Sequence, residues 1–330
     1  MNRIHIINKF AKATGGSEQR AIRLAEILSK YADVKLWATH PPDPALLTQA
    51  AITTIEQRLL RFPKSGTFIF VGVYLHIAGW IRFAWPARRI IIFNTKDPAE
   101  LERIAAQISP ASGTDACEIV YSDDVLRRLI GKPGPVHESP IDIEKFIAVT
   151  PRADSLGQFT VGRLNRDYRY KFHEDDPKLF RRLGDLGIRV RLLGGECLQD
   201  ELVGAKHVEM LAEGSVPAPE FLNSLDCFIY RTSSTWLESF GRVVFEAMAC
   251  GLPVVCGPTG GYAKHIKHGV NGFIFETDDE AVHILNRLQA DPIMRQVIGN
   301  RARETAERMY SAEYEQKSVD YYVFGRLTVD

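Results

Sequence analysis

The chain has 330 residues, with 41 Lys and Arg set against 41 Asp and Glu, so its formal net charge is zero. That balance excludes a dedicated nucleic-acid binder, which carries a basic excess or stripe, and the length suits two domains of about 150 residues each. Five cysteines (Cys117, Cys197, Cys227, Cys250, Cys256) are odd in number and form no C-x2-C pair. This excludes a disulfide scaffold and a zinc module and fits a reducing, cytoplasmic compartment.

The opening MNRIHIINKF has no apolar h-region, so no secretory leader is expected. Residues 4–7 read as a strand, and a loop containing Gly15 and Gly16 follows. A helix comes next, with Leu24, Ile27 and Leu28 on one face. Residues 34–37, 68–71, 90–93 and 118–121 are further apolar strand candidates, separated by helical patterns. Residues 67–85, TFIFVGVYLHIAGWIRFAW, are almost long enough to span a bilayer. Gly72, His76, Gly79 and Arg82 interrupt the run, which reads instead as a buried strand leading into a core helix.

The alternation lapses at 141–157, a candidate linker, and then restarts. Strands are expected at 159–162, 189–193, 207–211, 227–230, 253–256 and 272–275, with helices at 217–225, 241–249, 279–288 and 292–309. Alternation of strand and helix requires crossovers, and crossovers give parallel sheets covered on both faces. The fold class is therefore α/β, two doubly wound units of similar size, with a ligand expected between them at strand carboxyl ends.

The chemistry concentrates in residues 236–275, WLESFGRVVFEAMACGLPVVCGPTGGYAKHIKHGVNGFIF. Glu238 lies in a Ser/Thr-rich loop, and Ser239, Phe240 and Gly241 stand at the start of a helix, where free N–H groups favour an anion. Gly241 lets a ligand approach the backbone. Glu246 follows on that helix, eight residues after Glu238. Two carboxylates that accept sugar hydroxyls, on either side of a phosphate-binding helix start, suit a nucleotide-sugar. The bland reading of Glu246 is a helix cap or salt bridge.

The run E-S-F-G-x-x-x-x-E, then A-M-A-C-G-L-P-V-V, G-G and G-x-N-G-F, resembles the retaining glycosyltransferases of family 4 (glycosyl transferases group 1), which have the GT-B fold of two Rossmann-like domains facing a cleft. The resemblance implies that Glu238 holds the donor sugar, Glu246 the ribose, and Ser239, Phe240 and Gly241 the sugar and diphosphate. Residues 159–164, FTVGRL, resemble the family's G-R-L element, whose arginine and a later lysine neutralise the donor diphosphate. This implies Arg163 and Lys171 as catalytic cations with Glu238, Arg166 and Arg169 being rivals to Lys171 because the usual short gap is lengthened here. The Thr14–Gly15–Gly16 loop is similar to the family's first Gly-Gly loop, so Gly15 and Gly16 are implied as donor-phosphate contacts.

Three positions depart from the family pattern. Asn94 or Thr95 stands where many members carry a histidine, making Asn94 and His76 candidate sugar or acceptor contacts. Lys264 replaces a common glutamate, and Gly194–Gly195–Glu196 replaces a G-x-G loop. The histidines and cysteines form no ligand cluster, and no metal or cofactor is expected. Residues 57–96 hold seven cations and no acid, with Phe62, Trp80, Phe83 and Trp85 interleaved. That composition suits peripheral contact with the inner face of a membrane or a lipid-linked acceptor.

The resemblance implies residues 1–150 as an acceptor-binding domain and 151–310 as a nucleotide-sugar domain. The helix near 311–330 is expected to cross back to the first domain. The expected function is metal-independent transfer of a sugar, with anomeric retention, from a nucleotide-sugar to a saccharide or lipid-linked acceptor in polysaccharide or glycoconjugate biosynthesis. The alternatives are a nucleotide-sugar epimerase or phosphorylase and a silent sugar-binding protein. A dinucleotide oxidoreductase lacks its G-x-G-x-x-G after Ile7 or Leu193.

Overall fold

Successive residues of a strand point to opposite faces, and the apolar runs near the N-terminus use both. Ile4, Ile6, Ile69, Val71, Ile90 and Ile92 join one buried cluster, while Ile7, Phe68, Phe70, Ile91 and Phe93 join another. A sheet filled on both sides needs helices on both sides, as parallel sheets have. The computed structural model describes residues 2–109, 113–148 and 157–326. It divides into two compact units, Met1–Pro140 with Ser311–Asp330, and Ile141–Tyr310.

In the first unit the strands are β1 (Arg3–Asn8), β2 (Asp33–Ala38), β3 (Ile52–Thr54), β4 (Ser65–Val71), β5 (Trp85–Phe93) and β6 (Glu118–Tyr121). Helices α1 (Gly16–Ser29), α2 (Pro44–Leu47), α3 (Pro98–Ile108) and α4 (Asp124–Ile130) connect them. All pairings are parallel, in the order β3-β2-β1-β4-β5-β6.

The second unit holds β7 (Thr160–Leu164), α5 (Asp176–Asp185), β8 (Arg189–Leu193), β9 (Val208–Leu211), α6 (Ala218–Asn223) and β10 (Cys227–Tyr230). It continues with α7 (Arg242–Ala249), β11 (Val254–Cys256), β12 (Phe273–Ile274), α8 (Asp278–Ala290) and α9 (Pro292–Met309). Its order is β12-β11-β10-β7-β8-β9, which is the first unit's order read from the other edge. Both sheets therefore reverse direction once, between β1 and β4 and between β7 and β10. At such a switch point the loops leaving the strand carboxyl ends diverge and leave room for a ligand.

The last helix, α10 (Ala312–Tyr322), returns to the first unit. Val319, Tyr321 and Tyr322 enter its core, and Glu315 pairs with Arg23 at 3.0 Å and Lys30 at 2.9 Å. Residues 149–156 of the expected linker lie outside the described residues.

One expectation needs correction. The run at 67–85 contains no core helix: β4 ends at Val71, Gly72 turns with φ +86°, and only a single 3-10 turn (Gly79–Phe83) precedes β5. Its apolar residues belong to two strand ends and the crossover between them, so their run was longer than any one element. Among the described residues no helix is long and apolar enough to cross a membrane.

Candidate functional site

The loops leaving β7 and β10, at the switch point of the second unit, carry most of the singled-out side chains. Glu238 follows β10, and its Oε2 accepts from Lys171 Nζ at 2.5 Å and from the Tyr230 hydroxyl at 3.1 Å. Burial pushes the Glu238 carboxyl up, but the Lys171 charge and these two hydrogen bonds outweigh burial and hold it below its ordinary value. Tyr230, buried beside that carboxylate, is pushed well above the ordinary phenol value. Lys171 also lies 5.2 Å from the Trp236 ring centre, a cation–π contact. The result is an ionised carboxylate and an ammonium side by side, one able to accept sugar hydroxyls and the other to meet phosphate oxygens.

Two loops are fastened together to make this pair. Ser233 Oγ donates to Glu174 Oε1 at 2.6 Å and the Ser234 N–H to Oε2 at 3.2 Å. The Ser233 hydrogen bond and the Ser234 amide bring the Glu174 carboxyl down to about 2. Tyr170 packs on Trp236 with ring centres 4.5 Å apart. On the other side, the Glu238 carbonyl accepts from the Gly261 N–H at 2.9 Å, tying the carboxylate's backbone to the second glycine pair.

Arg163 lies underneath and is 1% exposed. Its Nε donates to Asn165 Oδ1 at 2.7 Å, Nη1 to Asp176 Oδ2 at 2.9 Å, and Nη2 to the Lys171 carbonyl. The guanidinium is also 4.3 Å from the Phe172 ring centre and 4.8 Å from that of Tyr230. Asp176, at the start of α5, shares its other oxygen with Arg231 Nε at 2.6 Å, and Arg231 reaches Asp278 at 2.8 Å. The structure thus brings Arg163, Lys171 and Glu238 together, but the three nitrogens of Arg163 are all bonded within the protein. Arg169 pairs with Glu201 at 2.8 Å, whereas Arg166 lies over the Tyr168 ring at 5.6 Å.

Gly241 caps α7 in the left-handed region at φ +78°, where a Cβ would run into the Tyr262 ring. A non-glycine residue is disfavoured there by both backbone and space. Ser239 is half-buried. The Phe240 side chain is buried and stacked on Phe245, centres 4.6 Å apart, which leaves its backbone as the part that could meet a ligand. Glu246 is 6% exposed and accepts from Arg242 Nε at 2.7 Å, an i,i+4 pair within α7.

The remaining candidates belong to the first unit. Gly15 caps α1 after β1, in a tight turn with its N–H on the Lys12 carbonyl at 3.0 Å. A Cβ on Gly15 would strike the Glu18 carboxylate, whereas Gly16 faces open space. Asn94 is half-buried just past β5, and His76 is exposed in the loop after β4. Asp176, Arg231, Glu174, Tyr230 and Trp236 escaped sequence reasoning. A tyrosine closing a strand and an acid opening a helix are common in any α/β protein, and only their pairing reveals the role.

Residues 161–305 match the family model described as Glycosyl transferases group 1. Among curated proteins, the chain is 35% identical over 92 residues to spore coat protein SA of Bacillus subtilis (strain 168), covering 27% of this chain and 24% of that protein. It is 36% identical over 86 residues to a D-inositol 3-phosphate glycosyltransferase of Streptomyces bingchenggensis (strain BCW-1), covering 24% and 19%. The matched stretches thus span a quarter or less of those relatives' length. The crystal structure of Anabaena Alr3699/HepE in complex with UDP-glucose superposes with a TM-score of 0.75 at 18% identity, over 97% of this chain and 99% of that one. Two parallel six-stranded sheets of one strand order give the chain the GT-B fold, and the match over residues 161–305 places that segment among the glycosyl transferases group 1 (GT4).

Proposed function

We propose that the protein transfers a sugar from a nucleotide-sugar donor to a saccharide or lipid-linked acceptor, retaining the anomeric configuration. The observation that carries this reading is the Lys171–Glu238–Tyr230 cluster at the β7/β10 switch point. Glu238 positions the sugar hydroxyls, and Lys171 stabilises the charge that builds on the leaving diphosphate. Arg163 holds the Lys171 carbonyl from below, and the backbone from Ser239 to Gly241 offers N–H groups at the start of α7. Glu246 takes the ribose on exchanging its contact with Arg242. The acceptor is taken by the first unit, near Asn94 and His76. Attack comes from the face the leaving group departs, so the departing phosphate oxygen receives the acceptor proton and no enzyme nucleophile is needed. The five free cysteines suit work in a reducing cytoplasm.

The test is a melting series with UDP, GDP, ADP, CDP and TDP and their sugar conjugates. A ligand at a hundred times its Kd stabilises the native state by about 2.7 kcal/mol, a visible shift. Once a donor is found, Glu238→Ala and Glu246→Ala should lower turnover about a hundredfold or more while leaving the fold intact. No shift with any nucleotide, or near-parental turnover in both variants, rejects the reading.

We also propose that the first unit docks on an anionic membrane surface. The chain itself divides the basic, aromatic stretch. Phe62 and Trp80 are core, and Arg88 is held by Glu118 at 2.6 Å and by the Tyr321 carbonyl at 2.9 Å. Leu59, Leu60, Phe83 and Trp85 are 55–75% exposed. Arg58, Arg61, Lys64 and Arg82 are exposed among them. The two segments are neighbours, since the Trp85 N–H donates to the Lys64 carbonyl at 2.7 Å. Apolar tips ringed by cations match an anionic interface. Co-sedimentation with phosphatidylserine vesicles should drop in the Phe83→Ser, Trp85→Ser double variant. Equal binding by the variant, or none by the parent, overturns the proposal.

A further inference from the structure

The segment after β4 is irregular in backbone and regular in burial. Val73, Leu75 and Ile77 are buried, whereas Tyr74 and His76 between them are exposed, Tyr74 by 58%. An extended chain sends successive side chains to opposite sides, so Tyr74 and His76 share the outward one. The backbone behind them is fastened by α3. Arg103 Nη2 donates to the Val73 carbonyl at 2.8 Å, and both terminal nitrogens of Arg103 reach the Leu75 carbonyl at 3.3 Å. Gln107, one turn further along α3, accepts from the Ile77 N–H at 3.1 Å. The outward side is fastened as well, because the Tyr74 hydroxyl and Thr95 Oγ1 share a hydrogen bond at 3.3 Å just past the end of β5. Beneath them Gly72 turns the chain out of β4 at φ +86°, where a Cβ would lie 3.6 Å from Asn94 Oδ1. Singly exposed apolar residues are ordinary. An exposed ring held both through its backbone and through its hydroxyl is not, since neither bond gains any burial of the ring.

We propose that Tyr74 and His76 form the platform that receives a sugar ring of a saccharide acceptor, at the carboxyl ends of β4 and β5. The inference rests on the transfer reading and deepens it, because it names the acceptor's chemical class and the ring that meets it. β4 borders the point where the strand order of the first sheet reverses, which is where open parallel sheets take their ligands. A pyranose presents a face of C–H groups edged by hydroxyls, and it needs an apolar flat surface with polar groups at its rim. The Tyr74 ring supplies the surface, while the Thr95 hydroxyl, the Asn94 amide and the His76 imidazole supply the rim. A ring already fixed in one position loses little conformational freedom when a ligand settles on it. Thr95 is the positioning residue, acting through Tyr74.

The test is saturation-transfer NMR titration of the full chain with the methyl glycosides of glucose, galactose, mannose and N-acetylglucosamine, with nucleoside diphosphates titrated alongside by calorimetry. At least one glycoside should bind the parent. Tyr74→Ala should weaken that glycoside about tenfold. Tyr74→Phe, which keeps the ring, and Thr95→Val, which only loosens it, should each weaken it less than Tyr74→Ala does. Nucleoside diphosphate affinity should be the same in the parent and in Tyr74→Ala. A melting temperature of Tyr74→Ala equal to the parent's shows that the loss is not unfolding. If no glycoside binds the parent, or Tyr74→Ala binds it as the parent does, the inference falls while nucleotide binding keeps the transfer reading. If no nucleoside diphosphate binds the parent, the transfer reading falls and takes the acceptor assignment with it.

Discussion

Arg163 ends in the core of the second unit, with its donors shared among Asn165, Asp176 and the Lys171 carbonyl. Arg166, three residues on, keeps its guanidinium on the Tyr168 face and is half-buried. The two residues are alike in chemistry and nearly adjacent in the chain, and they differ in what surrounds them. A buried cation must be neutralised and hydrogen-bonded by the protein, so its charge is committed before any ligand arrives. A half-buried cation on an aromatic face is desolvated enough to act strongly and uncommitted enough to bind. A basic residue in a motif is therefore only half a statement, and its counter-ions supply the rest.

The strongest way to break this contrast is to remove the counter-ion that Arg163 shares with Arg231. Asp176 is 1% exposed and bonded to both. Asp176→Ala leaves two buried guanidiniums without it and should cost about 3–5 kcal/mol of stability, read from urea unfolding of the second unit's signal. A loss below about 1 kcal/mol would mean that the guanidiniums are solvated, and the contrast with Arg166 would disappear.

A smaller effect sharpens the other side. Burial raises the Glu238 carboxyl, and Lys171, with smaller help from the Tyr230 hydroxyl and Arg166, more than reverses it. A carboxyl held low in the folded state stabilises the fold above its unfolded value and loses that contribution as the pH falls through the lowered one. Lys171→Met leaves burial opposed only by weaker contacts and raises the carboxyl, so the folded variant takes up a proton where the parent does not. The stability gap between parent and variant should therefore be widest near neutral pH, about 1–3 kcal/mol, and narrow as the pH falls. Melting curves across the acidic range measure it, and a gap independent of pH would show that Lys171 does not set the Glu238 charge.

The strands were largely legible because a parallel sheet buried on both faces leaves nearly continuous apolar runs. Residues 118–121, 189–193 and 227–230 are strands with the bounds their sequence suggests. The weakly apolar ITT of β3 was not legible, since an edge strand of half-buried residues has little pattern to offer. Nor was the break at Gly72, where one apolar run serves two strands. At the site, the order of Glu238, Gly241 and Glu246 was readable because glycine is required at φ +78° and the three residues lie close together in one motif of the chain. The aromatic run Tyr168–Tyr170–Trp236 was not, because its third ring lies far along the chain from the first two.

Local chemistry by itself determined the α/β alternation, the helix starts and the family motif, because these depend on period, on backbone freedom and on residues close together in the chain. Tertiary structure alone decided that the core consumes Arg163 and that Lys171 pairs with Glu238. That choice depends on burial and on partners such as Asp176, Tyr230 and Trp236, which come together only when β7 and β10 lie side by side.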